Sequence, residues 1–220
     1  MACIVNPPQD DIEPNISNSI LWPPQGGLIR IWSIISRQND GFWQVKKKQS
    51  NGNFLLDGKG RYDDRSLFRM YTIRSPEEEF IPGDDETPCW IGIPGNHIGG
   101  KADKNLIYML EWTVDNKGNK IVVAKGYPLP SEIFEPPQVP EDERINLSFL
   151  VKFDYNKGCY IIHDFDQWMK RPETKYFYVK TNGKGITSRE KLVRDENLTG
   201  SQSRYYNDPG LMYYINSYGI

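Results

Sequence analysis

The chain is poor in several of the residue patterns that announce a function. Of its 220 residues only two are histidines, His97 and His163, and only three are cysteines, Cys3, Cys89 and Cys159. An odd, widely spaced set of cysteines is not a disulfide framework, so the thiols are expected to be reduced and to pack as small hydrophobes. No apolar run approaches the roughly 18 residues that a membrane helix needs. The first residues have neither a basic start nor an apolar stretch of the secretory type. These two absences predict a soluble protein kept in a cytosol or released without a signal. The sequons at Asn15, Asn146 and Asn197 then read as chance matches in an Asn-rich chain. The formal net charge is −2. Binding duplex nucleic acid through its phosphates calls for a basic excess, so that role is disfavoured.

Turn formers and aromatics are plentiful: 19 Gly, 16 Pro, 6 Trp, 13 Tyr and 9 Phe. Large rings bury much area each, so a core can be built from few residues. The Gly and Pro content disfavours long helices. Alternating or β-branched segments cover 28–36, 42–48, 53–56, 67–73, 105–114, 120–124, 145–155, 159–163, 175–181 and 211–215. Between many of them lie Asp40-Gly41, Asn51-Gly52, Asn116-Lys117-Gly118, Asn156-Lys157-Gly158 and Asn182-Gly183. Turns of that kind tolerate positive φ and reverse a strand. The series predicts a mostly β protein, an antiparallel β-sandwich or barrel of jelly-roll type, with little helix and long Pro-rich loops. Residues 1–27 read as an extended N-terminal arm, with Trp22 among the apolar residues able to pin it down. Residues 28–220 read as one β domain, in which proline-rich 125–144 is a long crossing loop. Short helices are expected at 164–170 and 188–197.

Phe42-Trp43-Gln44-Val45 through Phe54-Leu55-Leu56-Asp57-Gly58 resembles a repeat unit of the β-trefoil lectins. Tyr176 to Ile186 is a poorer echo, and the third unit that a trefoil requires is not found. The resemblance covers less than a fifth of the chain. It implies a trefoil as the lesser alternative fold.

Candidate sites follow from where rings and polar loop residues coincide. Sugars are held by exposed Trp or Tyr platforms flanked by Asn, Asp and Gln. Trp43 lies near Asn39 and Asp40, Trp90 near Asp84 and Asp85, Trp112 near Asp115, and Trp168 near Asp164 and Asp166. The competing reading puts each ring in the core, as the alternation around Trp32, Trp43 and Trp112 suggests. Trp168, in a polar segment, is the best candidate for exposure. The expected ligand-binding set is Trp168, Asp164, Asp166, Trp90, Trp43 and Asn39.

Other chemistry is weakly signalled. A Cys89–His97 pair lacks the helix start that lowers a thiol pKa. His163, Cys159, Asp164 and Asp166 fall short of a zinc or calcium pattern. Gly92, Gly95, Gly99 and Gly100 do not match a phosphate loop and read as an irregular surface loop. No catalytic residue, metal site or cofactor is therefore assigned. Charge is segregated: residues 77–86 hold six acids and no base, 132–143 are acidic, and Lys46, Lys47, Lys48, Lys59, Arg61, Arg65, Arg69 and Lys170 to Arg194 are basic. Such segregation suits solvated loops and strand edges, or head-to-tail contact between subunits. The sequence thus points first to a non-catalytic recognition protein for glycans or another surface. A self-assembling structural protein, of the capsid, sheath or crystal-forming kind and built as a homo-oligomer, comes second, and an enzyme third.

Overall fold

The structure is a computed structural model that describes residues 22–33, 41–73, 87–116, 120–154, 158–164, 179–181, 192–194 and 212–218. Twelve strands lie among them, all paired antiparallel. In chain order they are β1 (Gly27–Ser33), β2 (Phe42–Lys48), β3 (Phe54–Gly60), β4 (Phe68–Thr72), β5 (Thr87–Pro94), β6 (Leu106–Val114), β7 (Lys120–Pro128), β8 (Phe149–Asp154), β9 (Cys159–Asp164), β10 (Val179–Thr181), β11 (Leu192–Arg194) and β12 (Met212–Tyr218). Two short helices, α1 (Gly95–Ile98) and α2 (Glu141–Leu147), and a 3-10 turn at Asp64–Ser66 complete the set.

The strands close into a nine-strand antiparallel barrel, running β1-β2-β3-β7-β6-β5-β8-β9-β12 and back to β1. β4 pairs with both β1 and β5, and so ties the two sides together. Of the expected antiparallel sandwich or barrel with little helix, it is the barrel that forms. Strand alternation explains how one core is filled from every side. Ile29 and Ile31, Trp43 and Val45, Phe54 and Leu56, Phe68 and Met70, Cys89, Ile91 and Ile93, Tyr108, Leu110 and Trp112, Phe149 and Val151, and Tyr213 all meet in one cluster. Rings lock against rings there: Trp43 meets Tyr213 edge-on at 5.3 Å, and Phe54 meets Tyr108 edge-on at 5.0 Å. Each fully buried large apolar side chain contributes on the order of 1.5–3 kcal/mol.

A second, smaller cluster lies on the outer face of β4, β5, β6 and β7. Tyr71, Trp90, Ile107, Met109 and Tyr127 point away from the barrel interior and are covered by Val139 and by Leu147 of α2. An isolated helix of this length is unstable in water. α2 persists because Leu147 is buried, its acids Glu141, Asp142 and Glu143 sit in the first turn, and Ser148 Oγ bonds the Arg144 carbonyl.

Several local expectations change. The stretch 125–144 is not loop throughout: β7 continues to Pro128, and α2 occupies Glu141–Leu147. The strand expected from 145 begins at Phe149 instead. Residues 192–194 form β11 where a helix was expected. The glycine-rich surface loop is corrected most. Thr87–Pro94 is a buried strand, Gly92 lies against Met109, and Gly95 begins α1 so close to the Asp103 carbonyl that a Cβ would sit 1.9 Å from it. Only Gly99 and Gly100 of that set are exposed, in a loop with positive φ. The lectin-like segment 42–58 forms the β2–β3 hairpin, while its echo lies mostly outside the described residues. Trp22 is half-buried against the core and donates to Thr72 Oγ1 at 3.0 Å; the rest of the proposed arm before it lies outside the described residues.

Candidate functional site

Alternation sends Ile29, Ile31, Tyr213 and Ile215 toward the core, so Arg30, Trp32, Tyr214, Asn216 and Tyr218 occupy the opposite face of β1 and β12. The register places Trp32 opposite Tyr214, Arg30 opposite Asn216 and Leu28 opposite Tyr218. Trp32 and Tyr214 stack at 5.3 Å with their planes only 16° apart. Such cross-strand ring pairs stabilise a sheet by up to about 1 kcal/mol.

The turn after β3 folds over this face. Asp63 caps the 3-10 turn by accepting from the Arg65 backbone at 2.9 Å and from the Arg65 guanidinium at 2.8 Å. Gln44 Nε2 donates to the same carboxylate at 2.7 Å. Burial works to raise Asp63, but these bonds outweigh it and hold the carboxyl below its usual range. The capped turn delivers two groups to Arg30. Ser66 Oγ accepts from Arg30 Nε at 3.3 Å, and the Tyr62 ring covers the guanidinium at 3.7 Å. Tyr218 covers it from 4.8 Å. Arg30 is only 6% exposed, while Tyr62 is 44% exposed. The result is a buried cation with two aromatic rings against it, one of them, Tyr62, exposed to solvent.

A second polar cluster joins the β6–β7 hairpin to α2. Lys125 Nζ lies 2.8 Å from Glu143 Oε2 and 3.8 Å from Glu111 Oε2. Tyr127 donates its hydroxyl to Glu143 and approaches Glu111. Burial pushes Glu111 up, helped by the Glu143 charge and resisted by Lys125. Hydrogen bonds from Lys125 and Tyr127 hold Glu143 below the usual carboxylate range. Burial alone would lower Lys125, yet its bond to Glu143 and the charge of Glu111 leave it raised. Tyr127 is raised by burial and by donating to Glu143. Two carboxylates with opposed shifts are the arrangement of an acid–base pair. Here they lie on the outer face of the hairpin, and every member bonds another, so the cluster works as a latch for α2.

The sequence-derived candidates fare unevenly. Trp43 is fully buried in the main core, and Trp90 is 7% exposed, with its Nε1 donating to Ser148 Oγ at 3.0 Å. Neither is an exposed platform, because alternation turns Trp43 inward and α2 covers Trp90. Trp112 is likewise buried, 5.2 Å from Phe149. Trp168, Asp166 and Asn39 lie outside the described residues, and Asp164 is described only as the last backbone position of β9. Cys89 is fully buried among apolar side chains, and burial pushes its thiol well up, the opposite of an activated nucleophile. His97 Nδ1 instead donates to the Leu67 carbonyl at 3.2 Å and ties α1 to the segment before β4.

The Arg30 face was missed by the sequence reading. Its one local signal is a lone arginine in the apolar run Leu28-Ile29-Arg30-Ile31-Trp32, on the phase opposite to the isoleucines. Tyr62 and Tyr218 carry no signal, since they are far from Arg30 in the chain. Among the described residues no three His, Cys, Asp or Glu side chains come together as a metal site, and no helix is long and apolar enough to cross a membrane. Compared with known families and with curated proteins, the chain matches no family model and no curated protein.

Proposed function

We propose that the protein is a non-catalytic recognition protein that binds glycans through the outer face of β1 and β12. The observation that carries this reading is Tyr62, an exposed ring packed on Arg30 at 3.7 Å and edge-on against Phe42 at 5.7 Å. A sugar ring presents apolar C–H faces that stack on an aromatic ring, and equatorial hydroxyls that need polar partners beside it. Asn216 and Tyr218, both half-buried, supply such partners on the same face. A ring fixed before binding loses little freedom when the ligand arrives, which favours affinity.

The test is a glycan array probed with the full chain, followed by titration of the best ligand against Tyr62→Ala. Binding is expected, with a loss of about tenfold or more in Tyr62→Ala, equivalent to about 1.4 kcal/mol. A blank array for the wild-type chain, or full binding by the variant, overturns the proposal.

A second reading, assembly with further copies, is favoured by one specific feature. Leu129, Ile133 and Phe134 project from the loop after β7, Phe134 being 51% exposed, and Glu132 and Glu135 flank them. Exposed apolar residues grouped with like charges suit a contact that is steered by charge and sealed by apolar burial.

A further inference from the structure

Arg30 is a buried cation. Taking a guanidinium out of water is costly unless an opposite charge and hydrogen bonds replace its hydration. Aromatic rings and the hydrogen bond to Ser66 replace part of that hydration and supply no opposite charge. No carboxylate among the described residues lies within ion-pairing distance of Arg30, and Nε–Ser66 is its one side-chain hydrogen bond to them. The nearby acid, Asp63, is committed to Arg65 and Gln44.

Tyr62 and Tyr218 lie near the guanidinium and Ser66 takes Nε, and among the described residues none accepts from the Nη edge. That edge offers parallel in-plane donors, the pattern that matches the two oxygens of a planar carboxylate. Asn216 sits opposite Arg30 in register, where its amide can reach a neighbouring hydroxyl.

We propose that Arg30 is an oxyanion-binding site on this face and takes the carboxylate of an acidic sugar. The inference rests on the recognition reading and narrows it to uronate-type glycans. Binding supplies Arg30 with the carboxylate that no described residue offers it, and Tyr62 stacks on the ring that carries that carboxylate.

The experiment is isothermal titration of the full chain with a hexuronate oligosaccharide, with its carboxyl-reduced neutral counterpart, and with inorganic phosphate. The variants are Arg30→Met, Arg30→Lys and Tyr62→Ala. The uronate is expected to bind at least tenfold tighter than the neutral sugar. Arg30→Met should erase that preference while leaving weak neutral-sugar binding, and Arg30→Lys should lose most of it, since an ammonium has no planar edge. Arg30→Met is expected to fold, because an apolar side chain replacing a buried ion is commonly tolerated; an unchanged near-UV spectrum confirms this, and Arg30→Lys serves if it does not fold. Equal affinity for both sugars, lost in Tyr62→Ala, overturns the acidic-sugar proposal and leaves glycan recognition standing. Binding of neither sugar overturns both. Phosphate competing as well as the uronate overturns the assignment to a sugar acid.

Discussion

Gly26 shows how much one residue can hold in place. Its φ is +68°, a region that costs an L side chain about 1–2 kcal/mol. Its missing Cβ also makes room for the loop that carries Ile133 and Phe134, since an added Cβ would fall 2.0 Å from the Ile133 carbonyl oxygen. The Gly26 amide donates to Met70, and its carbonyl accepts from Arg69 at 2.7 Å, so the backbone cannot easily shift. Gly26→Ala is therefore expected to destabilise the fold by about 2–4 kcal/mol, combining strain with displaced packing. Urea unfolding measures it, and a change within 0.5 kcal/mol (roughly the scatter for inert surface sites) contradicts the account. At this scale the sequence was partly legible. Alternation around Trp43 and Trp112 carried the competing core reading, and the core is where both lie, although Trp43 belongs to the expected ligand-binding set. Trp90 was harder, because what covers it is α2, whose start signal (Pro140 followed by three acids) lies inside a proline-rich stretch that reads as loop.

Among the elements, β5 and α2 were the least legible, and for related reasons. Thr87–Pro94 contains Pro88, Gly92 and Pro94, a composition that reads as a loop. It becomes a strand because β4, β6 and β8 all pair with it, and pairing over that distance leaves no trace in local propensity. α2 likewise depends on what it packs against, and its latch gives a pH prediction. Glu143 is lowered in the fold, so its stabilisation is present above the ordinary carboxylate value of 4.5 and fades as pH falls through the lower folded value. Lys125 is raised, so its share is present below the ordinary lysine value of 10.5 and fades as pH rises through the higher folded value. Glu111 is raised and acts with the opposite sign: its ionised form is unfavourable, and protonation on acidification relieves it. Glu143→Gln should lose about 0.2–1 kcal/mol at neutral pH, the range measured for solvent-exposed ion pairs. The difference from wild type should shrink toward zero below the carboxylate range. Denaturant unfolding across pH reads this out, and a pH-independent difference would refute the latch.

At the scale of the whole molecule, the fold class was readable because turn chemistry and alternation agree along most of the chain. The path by which strands meet was not, since barrel closure joins segments distant in sequence. The acidic stretch 77–86 and the basic segment 170–194 lie mainly outside the described residues, but 132–143 can be placed. Its acids Glu132, Glu135, Glu141 and Asp142 are exposed beside Leu129, Ile133 and Phe134. Lys48, Arg61 and Lys104 are exposed elsewhere on the barrel. If copies associate through these surfaces, native mass spectrometry and size-exclusion chromatography should show oligomers at low salt. Those oligomers should dissociate near 1 M salt, where charges beyond about 3 Å are screened. Phe134→Asp should yield monomers at all salt concentrations. A monomer under every condition sets this reading aside and leaves recognition by single copies.

The pairing of β1 with β12 joins Gly27–Ser33 to Met212–Tyr218. During synthesis the ribosome delivers β1 well before β12, so a nascent chain carries an open seam until β12 has emerged. Over that interval the β1 rim can be zipped by the β12 of a neighbour translated on the same message, and strand exchange competes with closure.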